Sequence, residues 1–243
     1  MRRLYQFPLS LYCEKTRWNL DWKGLGWEPV NLIPGPHAFT AWRLAQQQTL
    51  PILVDGGQKV GDSTEIALYL DSRYPRQALL PAQSAQRQKI LALEAQFDDL
   101  GEDVRRCVWS LAVESDSVDR LFFHGYSARQ KTLGHWMRPV LRQMIRHRFG
   151  VWPVEVDVSW QKVMNTLQEV ETHLRGDPSR YLVADRFTLA DLTAASMLAP
   201  LVGPAGSPWT DKRLPDEAVK SNNALRQRLR ATVAGQWVAR VYH

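Results

Sequence analysis

Two short segments of this 243-residue chain carry residue types that could hold an anion. Asp62-Ser63 stands directly before the helical run Thr64-Glu65-Ile66. There a hydroxyl, a carboxylate and free first-turn N–H groups meet at one helix end, a ready anion site. Ser10 stands in the same way ahead of Leu11-Tyr12-Cys13-Glu14. A helix N-terminus carries roughly half a positive charge. A serine hydroxyl there can donate to an anion without adding charge of its own, or it can serve only as the helix cap. Cys13 lies one turn on, but position 10 is serine, so the segment holds no dithiol pair.

The elements that must position these residues follow from local patterning. Leu4-Tyr5-Gln6-Phe7 reads as a strand and Pro8-Leu9 as a turn. The helix opened by Ser10 runs to about Lys23, ended by Gly24 and Gly26. Leu50-Pro51 opens a second strand, Ile52-Leu53-Val54-Asp55. An X-Pro bond is the one that goes cis cheaply, and a cis Pro51 would turn the Leu50 backbone outward. Val60-Gly61 then leads into Asp62-Ser63. After Tyr74-Pro75 the composition changes: a polar connector holding Pro81 gives way to helical spacing. Ile90, Leu93, Phe97, Leu100 and Val104 follow three- and four-residue steps, as do Val163, Leu167, Val170 and Leu174. The expected organisation is residues 1–75, a linker over 76–86 and a helical unit over 87–243. Thr188 and Asp191 form a carboxylate version of the capping box before the apolar run Leu189 to Leu201. Asp191 is therefore expected to serve stability and not chemistry.

Composition bounds the classes. The chain is 44% apolar and 23% charged, as in an ordinary globular protein. Two cysteines, Cys13 and Cys107, make no disulfide framework and no metal-ligand spacing, which favours a reducing, cytoplasmic setting. Leu4 to Leu11 is too short and broken for a signal-peptide core, and Pro200, Pro204 and Pro208 argue against a membrane span. The formal charge of +6 raises nucleic acid as a partner. Arg138, Arg142 and Arg146 share one helix face, with His147 and Arg148 beside them. No nucleic-acid-reading motif accompanies them, and the expectation is a solvated face that at most attracts an anionic substrate.

Ser10-x-x-Cys13 in a strand-to-helix turn is similar to the redox motif of glutaredoxins with its first cysteine replaced by serine. With Leu50-Pro51 and Asp62-Ser63 following in order, the chain resembles the soluble glutathione transferases with a serine-type active site. The likeness is sharpest over residues 1–75. It implies an α/β thioredoxin-like N-terminal domain, an all-α C-terminal helical domain, and glutathione as co-substrate, activated for attack on a small apolar electrophile. It also implies a homodimer, formed through the helix after Ser63 and the helix holding Phe97.

The resemblance assigns roles residue by residue. Ser10 would donate to the glutathione thiolate, with Lys15 and Arg17 adding cationic character nearby that Glu14 partly offsets. The Leu50 backbone beside Pro51 would pair with the cysteinyl unit, Ser63 would take the γ-glutamyl carboxylate and Asp62 its ammonium. Gln48 and Thr49 stand where glycyl contacts fall. Tyr5 is a rival donor, but it lies one residue early on the strand, with Gln6 in the matching place, and reads as packing. Cys13 aligns with a resolving cysteine that burial would make inert. Trp109, Trp136, Trp152 and Trp160 could line a pocket or fill the core. Gly134, Pro139, Gly150 and Pro153 mark an enlarged helical region around them. A glutathione-dependent peroxidase or lyase, and a non-catalytic binding protein, are the alternatives on the same scaffold.

Overall fold

The computed structural model describes residues 1–243 except 83, 116–117, 124–125, 184, 211–215 and 243, with backbone only at 84, 130, 133–134 and 216–222. Four strands form one sheet in the order β2-β1-β3-β4. They are β1 (Arg2–Gln6), β2 (Trp27–Asn31), β3 (Ile52–Asp55) and β4 (Gln58–Gly61). The helix α1 (Leu11–Trp22) connects β1 to its parallel neighbour β2. Both β1–β3 and β3–β4 pairs are antiparallel. Gly56 and Gly57, at φ +57° and +96°, supply the positive φ pair that a two-residue hairpin between β3 and β4 requires.

Register brings the three candidate segments to one end of the sheet. Tyr5 pairs with Ile52, and Ile52 pairs with Gly61. One residue further along each strand stand Gln6, Pro51 and Asp62, which opens α3 (Ser63–Arg73). The remaining helix of this half, α2 (His37–Ala45), links β2 to β3.

The helical half comprises α4 (Ser84–Ala112), α5 (Val118–Phe122), α6 (Ala128–Trp136), α7 (Arg138–Phe149), α8 (Pro153–Leu174), α9 (Leu189–Val202), α10 (Asp216–Ala231) and α11 (Val233–Val241). The thioredoxin-like and all-helical halves expected from the sequence are thus both present. Most of the punctuation in the Trp-rich segment is helix termini: Pro139 falls in the first turn of α7, Gly150 caps its end at φ +62°, and Pro153 begins α8, while Gly134 lies within α6. Every residue of α9 is buried, and it packs against α4, α1 and α11. Ile90, Phe97, Leu100 and Val104 of α4, and Val163, Leu167, Val170 and Leu174 of α8, are buried at the helical spacing read from the sequence. Leu11 and Ala67 from the first half belong to the same core, so it runs continuously across the junction. At Gly101 of α4 an added Cβ would stand 2.7 Å from Met197 Sδ and from Tyr12 Oη, which is why α1 and α9 can approach α4 so closely.

The arginine face of α7 is not simply solvated, which corrects the sequence expectation. Arg138 Nε lies 2.9 Å from Asp119, Arg142 donates to the carbonyls of Glu114 and Ser115 at 3.1 Å, and Arg146 pairs with Glu114. Spaced four apart, they tie α7 to Glu114 and Ser115 after α4 and to Asp119 of α5. Arg226 and Arg230 likewise donate to the carbonyls of Pro200, Val202 and Gly203 at the end of α9, where the helix leaves unpaired acceptors.

Candidate functional site

Ser10 is the N-cap of α1: its Oγ accepts from Cys13 N–H at 3.3 Å, while its own carbonyl accepts from Glu14 N–H at 2.9 Å. Accepting through a lone pair leaves the hydroxyl proton free to donate elsewhere, so cap and donor are compatible roles. The loop carrying Ser10 is held by Arg17. Its guanidinium pairs with Glu14 at 2.7 Å and donates to Gln6 Oε1 at 2.6 Å and to the Pro8 carbonyl at 3.1 Å. Lys15 is fully buried and bound to Glu94, to Asp98 at 2.6 Å and to Thr64 Oγ1 at 2.9 Å. The expectation that Lys15 adds cationic character near Ser10 is corrected, because it is neutralised at the junction of α1, α3 and α4, whereas Arg17 anchors the loop and its charge still pulls the neighbouring Cys13 thiol pKa down against burial.

Cys13 is completely buried and burial pushes its thiol pKa up, as the sequence suggested; burial likewise takes Cys107 up to about 12. Neither thiol is placed for chemistry. Tyr5 packs with Cys13, Ala41, Leu50 and Ile52 and does not reach the cavity. Gln6, in the neighbouring place, is occupied with Asn31 at 3.1 Å and with Arg17.

The Leu50-Pro51 bond is cis. Asp62 caps α3 at φ +66°, its Oδ1 accepting from Thr64 N–H at 2.8 Å and Glu65 N–H at 3.2 Å. Ser63 is buried beside it, its Oγ 3.5 Å from Asp98 Oδ1. Burial raises the Asp98 carboxyl pKa, against the opposing pull of Lys15.

A cavity of about 340 Å³ opens between the two halves, and both Ser10 and Leu50 line it, with Gln48 and Thr49 beside Leu50. Pro51, Asp62 and Ser63 are outside its lining and adjoin it through the sheet register. The far wall is aromatic: Trp109, Phe122, Tyr126, Phe149 and Trp209. Trp109 and Phe149 lie nearly parallel, with centroids 5.9 Å apart at 11°. Of the four tryptophans singled out in the sequence, Trp109 alone faces the cavity. Trp160 packs on the main core, and Trp136 and Trp152 are exposed. Sequence reasoning missed Trp209, Tyr126 and Arg105, because their convergence depends on how α4, α5 and the segment after α9 cross. Arg148 was visible only as one more charge in the cluster on α7. The described residues hold no His, Cys, Asp and Glu grouping suited to a metal ion.

A thioredoxin-like sheet with a cis X-Pro bond and a capped helix beside it, joined to a helical half across a cleft, defines the class of protein. Residues 4–78 match the family model for the glutathione S-transferase N-terminal domain, and residues 135–219 that for its C-terminal domain. Glutathione S-transferase 3 of Zea mays is 30% identical over 206 residues, covering 81% of this chain and 77% of that protein. The chain belongs to the glutathione S-transferase family. Glutathione S-transferase Z2 of Arabidopsis thaliana is 37% identical over 83 residues, a match spanning 33% of this chain and only 37% of that relative's length. Among solved structures, the beta-etherase LigF of Sphingobium sp. superposes with a TM-score of 0.61 at 21% identity, covering 99% of both chains. No described helix is long and apolar enough to cross a membrane.

Proposed function

We propose that this chain is a glutathione transferase in which Ser10 stabilises the glutathione thiolate for attack on an electrophile held in the aromatic cavity. The observation that carries this reading is the shared cavity: Ser10 and Leu50 border one space that is also lined by Trp109, Phe122, Phe149 and Trp209. Glutathione would pair its cysteinyl main chain with Leu50 beside Pro51, as a short extended peptide adds to a strand edge. Its γ-glutamyl carboxylate would meet Ser63 and the N-terminus of α3, and its ammonium would meet Asp62. The thiol pKa of free cysteine is ~8.5, and a donor plus the α1 dipole would lower it toward neutrality. Catalysis at a homodimer in the cytoplasm completes the reading.

Ser10→Ala tests it. Loss of one preorganised donor to an anion costs about 3–4 kcal/mol in a strong case, so kcat should fall by roughly a hundred- to a thousandfold with little change in glutathione binding. Thiolate absorbance of the enzyme–glutathione complex should shift to higher pH in the variant. Because Ser10 also caps α1, denaturant curves must show the variant folded, with a loss of only ~0.5–2 kcal/mol. Superimposable thiolate titrations would reduce Ser10 to a cap. A panel of alkyl and aryl halides, aryl ethers and hydroperoxides would separate transferase from lyase and peroxidase chemistry.

A further inference from the structure

Besides the polar residues Ser10, Tyr12, Gln48, Thr49 and Tyr126, the cavity wall carries a set of cationic and imidazole groups. Arg105 of α4, Arg148 of α7 and His37 of α2 line the space, and no carboxylate does among the described residues. Arg105 lies 4.6 Å and Arg148 5.9 Å from the centre of the Phe149 ring, so both guanidinium groups sit by one aromatic side chain. Arg105 is tied back to Glu102, yet its buried Nε has no partner among the described residues. The buried indole N–H of Trp209 has none either. Arg148 has no acidic partner among the described residues. All the unmatched groups are donors.

The charges also act on one another. Burial lowers the Arg105 pKa, opposed by Glu102, and the charge of Arg148 lowers it further. Burial lowers His37, and Arg148 adds to the effect. Like charges crowded at an apolar wall are relieved by an anion, whereas a neutral ligand would leave them as they are.

We infer that the second substrate is a planar aromatic acid, its ring lying against Trp109 and Phe149 and its carboxylate held by Arg105 and Arg148. This rests on the glutathione reading above, and it narrows the occupant of the cavity from any apolar electrophile to one carrying a negative charge. Guanidinium groups suit the task because their fork of donors matches a carboxylate. Their placement on α4 and α7, beside the aromatic wall, sets them apart from the start of α3, where the γ-glutamyl carboxylate would sit, and from Gln48 and Thr49, where the glycyl carboxylate would fall, and so assigns them to the second substrate.

The test uses stable conjugates, so it needs no turnover. S-(4-Carboxybenzyl)glutathione and S-(4-methylbenzyl)glutathione have the same shape and differ in one charge. Calorimetry with the full chain should show the carboxylate conjugate binding about ten- to a hundredfold more tightly, the range for hydrogen bonds to a charged group. In Arg148→Gln, an exposed position where folding is not at risk, most of that preference should vanish, while the methyl conjugate and free glutathione bind as before. Arg105→Gln should act in the same direction. Equal affinity of the two conjugates for the wild-type chain would overturn the inference. So would an Arg148→Gln variant that loses free glutathione and both conjugates in equal proportion, since the arginine would then hold glutathione itself. If free glutathione and both conjugates all fail to bind the wild-type chain, the underlying glutathione reading falls as well.

Discussion

Lys15→Met is expected to remove about 3–5 kcal/mol of stability, the range for breaking a buried ion pair from one side. The Lys15 ammonium is inaccessible to water and joins three helices, bonding Glu94 and Asp98 of α4 and Thr64 of α3. Thr64 Oγ1 also donates to Glu94 at 2.7 Å, so removing the cation leaves two carboxylates sharing a largely dry site. They cannot both ionise there without severe cost, and one will retain a proton. Burial already raises the Asp98 carboxyl, and Lys15 is the main group opposing that rise. In the variant the folded chain therefore holds a proton that the unfolded chain has released above about pH 4. With more protons bound in the folded state, stability falls as pH rises through that interval. Urea unfolding at about pH 5 and about pH 8 should show a larger deficit for Lys15→Met at the higher pH. Adding Glu94→Gln and Asp98→Asn should restore much of the loss, because the uncompensated charges go with them. A pH-independent deficit under about 1 kcal/mol would show that this junction does not depend on the ammonium.

Asp191→Ala should cost about 3–4 kcal/mol while leaving glutathione affinity of the folded fraction intact. Asp191 is completely buried at the start of α9. One carboxylate oxygen accepts from Leu182 N–H at 2.9 Å, and the other from Thr188 N–H at 2.9 Å and Thr188 Oγ1 at 2.7 Å. Alanine would leave two main-chain donors buried and unpaired, and would free the loop before α9. The consequence reaches far because Leu189 N–H also bonds the Leu79 carbonyl of the connector, at 3.1 Å. Asp191→Asn keeps one acceptor and should fall between wild type and alanine. Chemical denaturation checks the order. A loss below about 1 kcal/mol would mean that the α9 terminus is held by packing alone.

The sequence by itself determined the parts of this protein governed by local rules. A cap, a proline and a hairpin glycine pair act within a few residues of themselves. Ser10 before α1, Pro51 before β3 and Thr188-Asp191 before α9 were therefore legible one by one, whereas the Gly56-Gly57 hairpin pair was not singled out. Helical spacing in α4 and α8 marked the faces that are buried, since apolar side chains recurring every three or four residues can only meet on one side. The register of β1, β3 and β4 was not written in any one segment. It is the pairing of Tyr5 with Ile52 and Ile52 with Gly61 that brings the Ser10, Pro51 and Asp62 segments to one end of the sheet.

Tertiary structure alone decided what the charged and aromatic residues do. Lys15 and Arg17 read as potential near Ser10, but the fold carries Glu94 and Asp98 onto one and the loop carbonyls onto the other. Arg138, Arg142 and Arg146 read as a solvated face, yet they fasten α7 to Glu114, Ser115 and Asp119. Arg148, from the same cluster, is turned to the cavity. A long side chain reaches partners several residues from its own backbone, and those partners come from elements remote in sequence. Spacing along one helix can show which charges share a face, but only the crossing of helices shows what that face meets.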